Sequence, residues 1–203
     1  MFERHSLNDF LDQLASASPT PGGGSAAAVM GAMGAALVGM VANLTVGKPK
    51  YAAVQAEMHA LLEHSQNLRQ RLLTAIEADV SAFDQVMAAY RLPKDTPDRS
   101  LRIQKALKTA TDVPLACARL CSEVIELCRT AARSGNVNVI SDAGVGVLAA
   151  HAALKSCAIN VTVNLNAIKD VPFVEERRKE LVRLLENKDS EVDAIYRQVL
   201  EKL

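Results

Sequence analysis

The feature that most limits how this chain can fold is a long stretch without charge: no Asp, Glu, Lys or Arg occurs between Asp12 and Lys48. Residues 25 to 46 are mostly Ala, Gly, Met and Val, and Ala27, Gly31, Ala35 and Gly39 recur every four positions. That spacing collects the smallest residues on one helical face, so another helix can approach the backbone very closely. The opposite side carries Val29, Met33, Leu37 and Met40. The stretch is long enough to cross a bilayer. Its Ala and Gly content, with Ser25, Asn43 and Thr45, makes it far less hydrophobic than a Leu/Ile/Phe span. The reading is therefore a central helix buried all round by protein, with no membrane partner.

The remainder is read as more helix around that centre. Aromatic residues are 3% of the chain and Trp is absent, so the core must come from aliphatic helices packed closely. Helical periodicity predicts segments at 6–17, 25–46, 51–90, 101–133 and 141–168, then a charged amphipathic outer layer over 173–203. Pro114 is expected to kink or divide the fourth of these. Pro19, Pro21 and the glycines at 22, 23 and 24 predict a loop, with Ser25 capping the helix that follows and Ser141 capping the later one. The fold class expected is an all-α, up-and-down bundle with a buried small-residue central helix, in one domain over 1–203. Net charge is zero, which favours neither nucleic acid nor an anionic membrane.

Cys117, Cys121 and Cys128 fall along one side of a helix and read as core. Close Cys or His pairs of the kind zinc uses are missing, so no metal is expected. With no secretory signal, free thiols in a reducing cytoplasm are the expectation. His5, His59, His64 and His151 are scattered and assemble no nucleophilic triad.

Some polar residues sit where packing alone does not call for them. Asp79 interrupts the stripe Leu72, Ile76, Phe83, Val86 and Tyr90, and a carboxylate turned toward a core needs a partner or a purpose. Asn136, Asn138, Ser141 and Asp142 crowd beside Gly135, offering more hydrogen bonding than one helix start requires. Asp142 by itself also suits the helix dipole. Asn160 and Asn164 share a face of an apolar helix as interhelical ties or ligand contacts. The triple glycine could present free amides to an anion, or simply let two backbones pack. It matches neither the Rossmann nor the P-loop pattern.

These residues together carry a resemblance. Pro19-Thr20-Pro21-Gly22-Gly23-Gly24-Ser25, Asn43-Leu44-Thr45-Val46-Gly47, Asp79 with Ala82-Phe83, Arg91-Leu92-Pro93-Lys94, Val113-Pro114-Leu115, Gly135-Asn136 with Ser141-Asp142, and Asn160 with Asn164 occur in this order. They resemble segments of the formiminotetrahydrofolate cyclodeaminase/methenyltetrahydrofolate cyclohydrolase family over nearly the whole chain. Asn138 to Val145 and Ala110 to Cys117 are most similar to its stand-alone bacterial cyclohydrolases.

The resemblance implies an all-α homodimer that binds folate in a cleft lined by the glycine loop and these segments, and hydrolyses 5,10-methenyltetrahydrofolate without a cofactor. Position and chemistry assign Asp142 as proton acceptor for water, and Asp79 as the group that holds the cation or orients Asp142; the reverse order is open. Gly22, Gly23, Gly24 and Ser25 would offer donors, with Thr45 and Gly47 in the same lining. Asn136, Asn160 and Asn164 would bind the pterin edge, and Lys48 or Lys94 would attract the glutamate tail. The cyclodeaminase reaction is the alternative chemistry, and a non-catalytic helical adaptor the alternative class.

Overall fold

The computed structural model describes residues 6–203, so His5 lies outside the described residues. Among the described residues every regular element is helical: α1 (Leu7–Leu14), α2 (Gly23–Asn43), α3 (Gln55–Arg91), α4 (Arg99–Ser134), α5 (Ile140–Leu165), α6 (Val171–Leu185) and α7 (Lys188–Leu200). Short 3-10 turns at Pro49–Val54 and Val137–Val139 lead into α3 and α5.

Helix α2 packs against α3, α4 and α5, as its small residues dictate. A Cβ at Gly31 would meet the Cys121 sulfur at 2.9 Å, and one at Gly34 would meet the Gly146 carbonyl oxygen at 2.9 Å. Glycine at both positions is thus what lets α4 and α5 lie against the α2 backbone. Ala27, Val38, Met58, Leu68, Leu72, Val124, Ile125, Val147 and Leu154 fill the space between these helices, and α7 closes the core with Val192, Ile195 and Val199.

Several expectations are corrected. Helix α2 is not buried all round: Met33 and Met40 are exposed. Two of the three glycines are helical, because α2 starts at Gly23 with Gly22 as its cap, and Ser25 stands inside the first turn. Ser141 likewise stands inside α5, whose cap is Val139.

Helix α4 runs unbroken through Pro114. Proline has no N–H for the Ala110 carbonyl, and the Asn164 amide on α5 donates to that oxygen at 2.7 Å instead. The outer layer is two helices, since Asn187 takes a left-handed φ of 60° between α6 and α7.

Candidate active site

The site grows from the meeting of α2, α3 and α5. Asp79 projects from the middle of α3 onto the first turn of α2, where its Oδ2 accepts the Ser25 hydroxyl at 2.8 Å. The Ser25 backbone N–H also donates to this carboxylate. Asp79 therefore caps α2 from a different helix, meeting the positive end of its dipole.

Gly24 makes the approach possible. A Cβ there would lie 2.1 Å from Asp79 Oδ1, which no real packing allows. The other first-turn amides, on Gly23 and Gly24, have no acceptor within their own helix.

Around this contact lies a cavity of about 300 Å³. Its floor is Gly22 to Gly24 and Asp79, and its walls include Phe83, Val86, Pro114, Asn160, Val163 and Asn164. Asn160 donates to the Ser156 carbonyl at 2.8 Å and Asn164 to Ala110, which ties up one amide hydrogen of each and leaves both side-chain carbonyls uncommitted by those bonds. Burial pushes the Asp79 carboxyl above its ordinary value, against the opposing pull of the Ser25 donors. A half-dry carboxylate with a raised pKa can both attract a cation and take up a proton.

The remaining expected site residues gather at the other end of α2. Asn136 is buried, and its backbone N–H donates to Thr45 Oγ1 at 2.9 Å while its side-chain amide donates to the Leu44 carbonyl at 2.8 Å. Its Oδ1 accepts from the Asn138 N–H at 3.1 Å and the Tyr51 hydroxyl at 3.3 Å. Thr45 donates onward to the Val41 carbonyl at 2.6 Å. Gly47, at a φ of 75°, turns the chain so that its N–H reaches Gln55 Oε1 at 2.7 Å. Lys48 is exposed beside this network, and Asp142 lies in the first turn of α5.

The expected meeting of Asp79 with Asp142 does not occur within one chain. Helices α2 and α5 run antiparallel, with Gly23 beside Asn160 and Gly34 beside Gly146. The stretch of α5 from Asp142 to Asn160 spans about 27 Å at the ~1.5 Å rise of a helix. Asn136, Thr45, Gly47, Lys48 and Asp142 are thus all remote from the Asp79 cavity, and Asn136 is occupied in locking the α2–α3 connection to the start of α5. Lys94 is exposed in the α3–α4 loop and does not line the cavity.

Sequence reasoning missed two features. One is the covering of Asp79 by Gly24, whose only trace is a carboxylate in an apolar stripe and a glycine far away in the chain. The other is Cys157, which α5 brings to Cys117 and Cys121 on α4.

A helical scaffold holding a single raised-pKa carboxylate over a glycine helix start, inside a ligand-sized cavity, is the architecture of a small-molecule enzyme site. The chain belongs to the formiminotransferase-cyclodeaminase family, whose description matches residues 6–183. It is 54% identical, over the full length of both chains, to the methenyltetrahydrofolate cyclohydrolase of Methylorubrum extorquens. It is 32% identical to the formimidoyltransferase-cyclodeaminase of Rattus norvegicus over 89% of this chain and 34% of that protein. The crystal structure of formiminotetrahydrofolate cyclodeaminase from Thermotoga maritima superposes with a TM-score of 0.85 at 34% identity, covering 100% of this chain and 98% of that one.

Proposed function

We propose that this chain hydrolyses 5,10-methenyltetrahydrofolate to 10-formyltetrahydrofolate, as a cytoplasmic homodimer of one-domain subunits, with Asp79 at the reacting carbon. The observation that carries the reading is the raised-pKa Asp79 carboxyl, packed on the α2 start in its cavity, in a chain aligned end to end with a cyclohydrolase.

The N5–C–N10 bridge of the substrate is an amidinium cation, so it needs no metal to become electrophilic. Ionised Asp79 attracts it, and the cation in turn draws the carboxyl pKa back down. Water then adds to the bridging carbon, and as the C–O bond forms its proton passes to Asp79, leaving a neutral carbinolamine. The same proton is delivered to N5 as the C–N5 bond breaks. Loss of the hydroxyl proton to solvent leaves the formyl group on N10. Acid/base help of this kind gives roughly 10²- to 10⁴-fold. The cavity sits at the small end of the ~300–1,000 Å³ range of ligand sites. It suits the fused ring and bridge, with the glutamate tail outside.

The homodimer rests on the side of α2 and α5 that none of the described helices covers. Met33 and Met40 on α2, and Val145, Leu148, Ile159 and Val163 on α5, are exposed. Both helices are apolar enough to pass for membrane spans by length and composition. Val163 belongs to this stripe and to the cavity wall. An isologous two-fold pairing of the stripe with α5 against α5 antiparallel sets the Asp142 end of one copy beside the Asp79 end of the other. Asp142 and Lys48 then act across the interface, which is how the expected pair of acids is recovered. The four free thiols fit a reducing compartment.

The test follows methenyltetrahydrofolate absorbance with purified protein, after subtraction of spontaneous hydrolysis. Accelerated decay supports the proposal. Ammonia release from the formimino substrate without that acceleration would identify a cyclodeaminase instead, the activity named for the 34%-identical Thermotoga maritima structure. Mixing Asp79→Asn with Asp142→Asn subunits should restore part of the activity through hybrid dimers. No restoration would refute a site shared between subunits.

A further inference from the structure

Behind the Asp79 cavity, α4 and α5 hold three thiols that the proposed hydrolysis does not use. The sulfurs of Cys117, Cys121 and Cys157 all lie within 4.8 Å of one another, and all three residues are buried. Cys117 and Cys121 are one turn apart on α4, and Cys157 faces them from α5. The missing side chain at Gly31 lets the α2 backbone close over Cys121. Cys128 is equally buried but stands outside the cluster.

The triad has a way in. Cys117 lines a second cavity, of about 420 Å³, that opens between α3 and α4 beside Ala75, Ala78, Val113 and Leu120.

We propose that Cys117, Cys121 and Cys157 form a binding site for a trivalent, thiophilic metalloid, of which arsenic(III) is the type. Soft thiolates select soft acceptors, and three of them converging from two helices suit a three-coordinate centre. Charge decides between candidates. A divalent ion on three thiolates keeps a net negative charge and lacks the fourth ligand that zinc prefers, in a buried setting with Asp79 already nearby. An arsenic(III) tris-thiolate is neutral.

Its formation balances without an oxidant. Arsenous acid, As(OH)₃, reacts with three thiols to give As(SR)₃ and three waters; three As–S bonds form, three As–O bonds break, and each thiol proton leaves on a hydroxide.

The experiment titrates the reduced full-length protein with arsenite, reading metalloid per chain by native mass spectrometry and sulfur ligands per arsenic by X-ray absorption. One arsenic per chain, held by three sulfurs, is the expected result for the wild type and for Cys128→Ala. Cys121→Ala and Cys157→Ala should each bind roughly 10²-fold or more weakly, the advantage lost when one tethered ligand of a set is removed. Circular dichroism checks that each variant is folded. If one is not, the other variant and the wild-type sulfur count still decide. The proposal is overturned by two sulfur ligands or fewer on the arsenic, by unchanged affinity in Cys157→Ala, or by cadmium binding more tightly than arsenite under the same conditions.

Discussion

The two ends of α2 carry similar polar residues and put them to opposite uses. At the far end, Asn136, Thr45, Tyr51 and Gln55 satisfy one another and the surrounding backbone, so the network holds a loop in place. At the near end, Asp79 faces a cavity with Ser25 as its close donor, and burial leaves its carboxyl with a raised pKa. Hydrogen-bonding capacity that is used up stabilises a fold. Capacity left facing a cavity is available to a ligand, and on the proposed reading that difference places the reacting carbon at the near end.

The sharpest way to break the comparison is Asp79→Asn, which should lower turnover by roughly 10²- to 10⁴-fold while leaving helicity intact. Its effect on stability has the opposite sign. The folded Asp79 carboxyl has a raised pKa, so folding binds that proton more tightly than the unfolded chain does. The stabilisation this lends is fully present below the unfolded value and is lost as pH rises through the folded one. At neutral pH Asp79→Asn should therefore melt no lower than the wild type, and any advantage should vanish in acid. A large drop in melting temperature at pH 7 would show that the capping of α2 by Asp79 outweighs the cost of burying its charge.

Gly24→Ala should come next. The added methyl displaces the carboxylate, and a misplacement of about 1 Å can cost about 10²-fold in rate. Gly23→Ala should cost less, because a Cβ there meets the Asn160 side chain at an ordinary 3.7 Å and leaves the Asp79 carboxylate in place.

Asn136→Ala sharpens the other side of the contrast. It strands the Leu44 carbonyl and the Asn138 amide, so urea unfolding should report a loss of roughly 1–3 kcal/mol. The pH dependence of any remaining turnover should stay where the wild type has it. Asn164→Leu should have the smallest effect on stability, about 1 kcal/mol or slightly more, through the Ala110 carbonyl that Pro114 already leaves without its helical donor.

Much of this molecule was legible in its residues. The four-residue recurrence of Ala and Gly foretold a helix others could approach closely, and Gly31 and Gly34 meet α4 and α5 at distances that admit no side chain. Asp79 stood out because it breaks an apolar stripe, and it is the carboxylate at the cavity. Helix boundaries were less legible where a partner elsewhere supplies what the local sequence lacks. Ser25 reads as a cap, yet Asp79 from α3 does the capping. Pro114 reads as a break, yet Asn164 from α5 repairs it.

Periodicity, breakers and composition are local properties, and by themselves they determined that the chain is helical, roughly where its helices run, and that α2 would be an inner one. Which polar residues share a site is a matter of three-dimensional distance. Only the antiparallel packing of α2 against α5 decided that Asp79 sits with Gly24 and Asn164 while Asp142 sits with Asn136, because a helix carries residues that are neighbours in a motif some 1.5 Å further apart with every step.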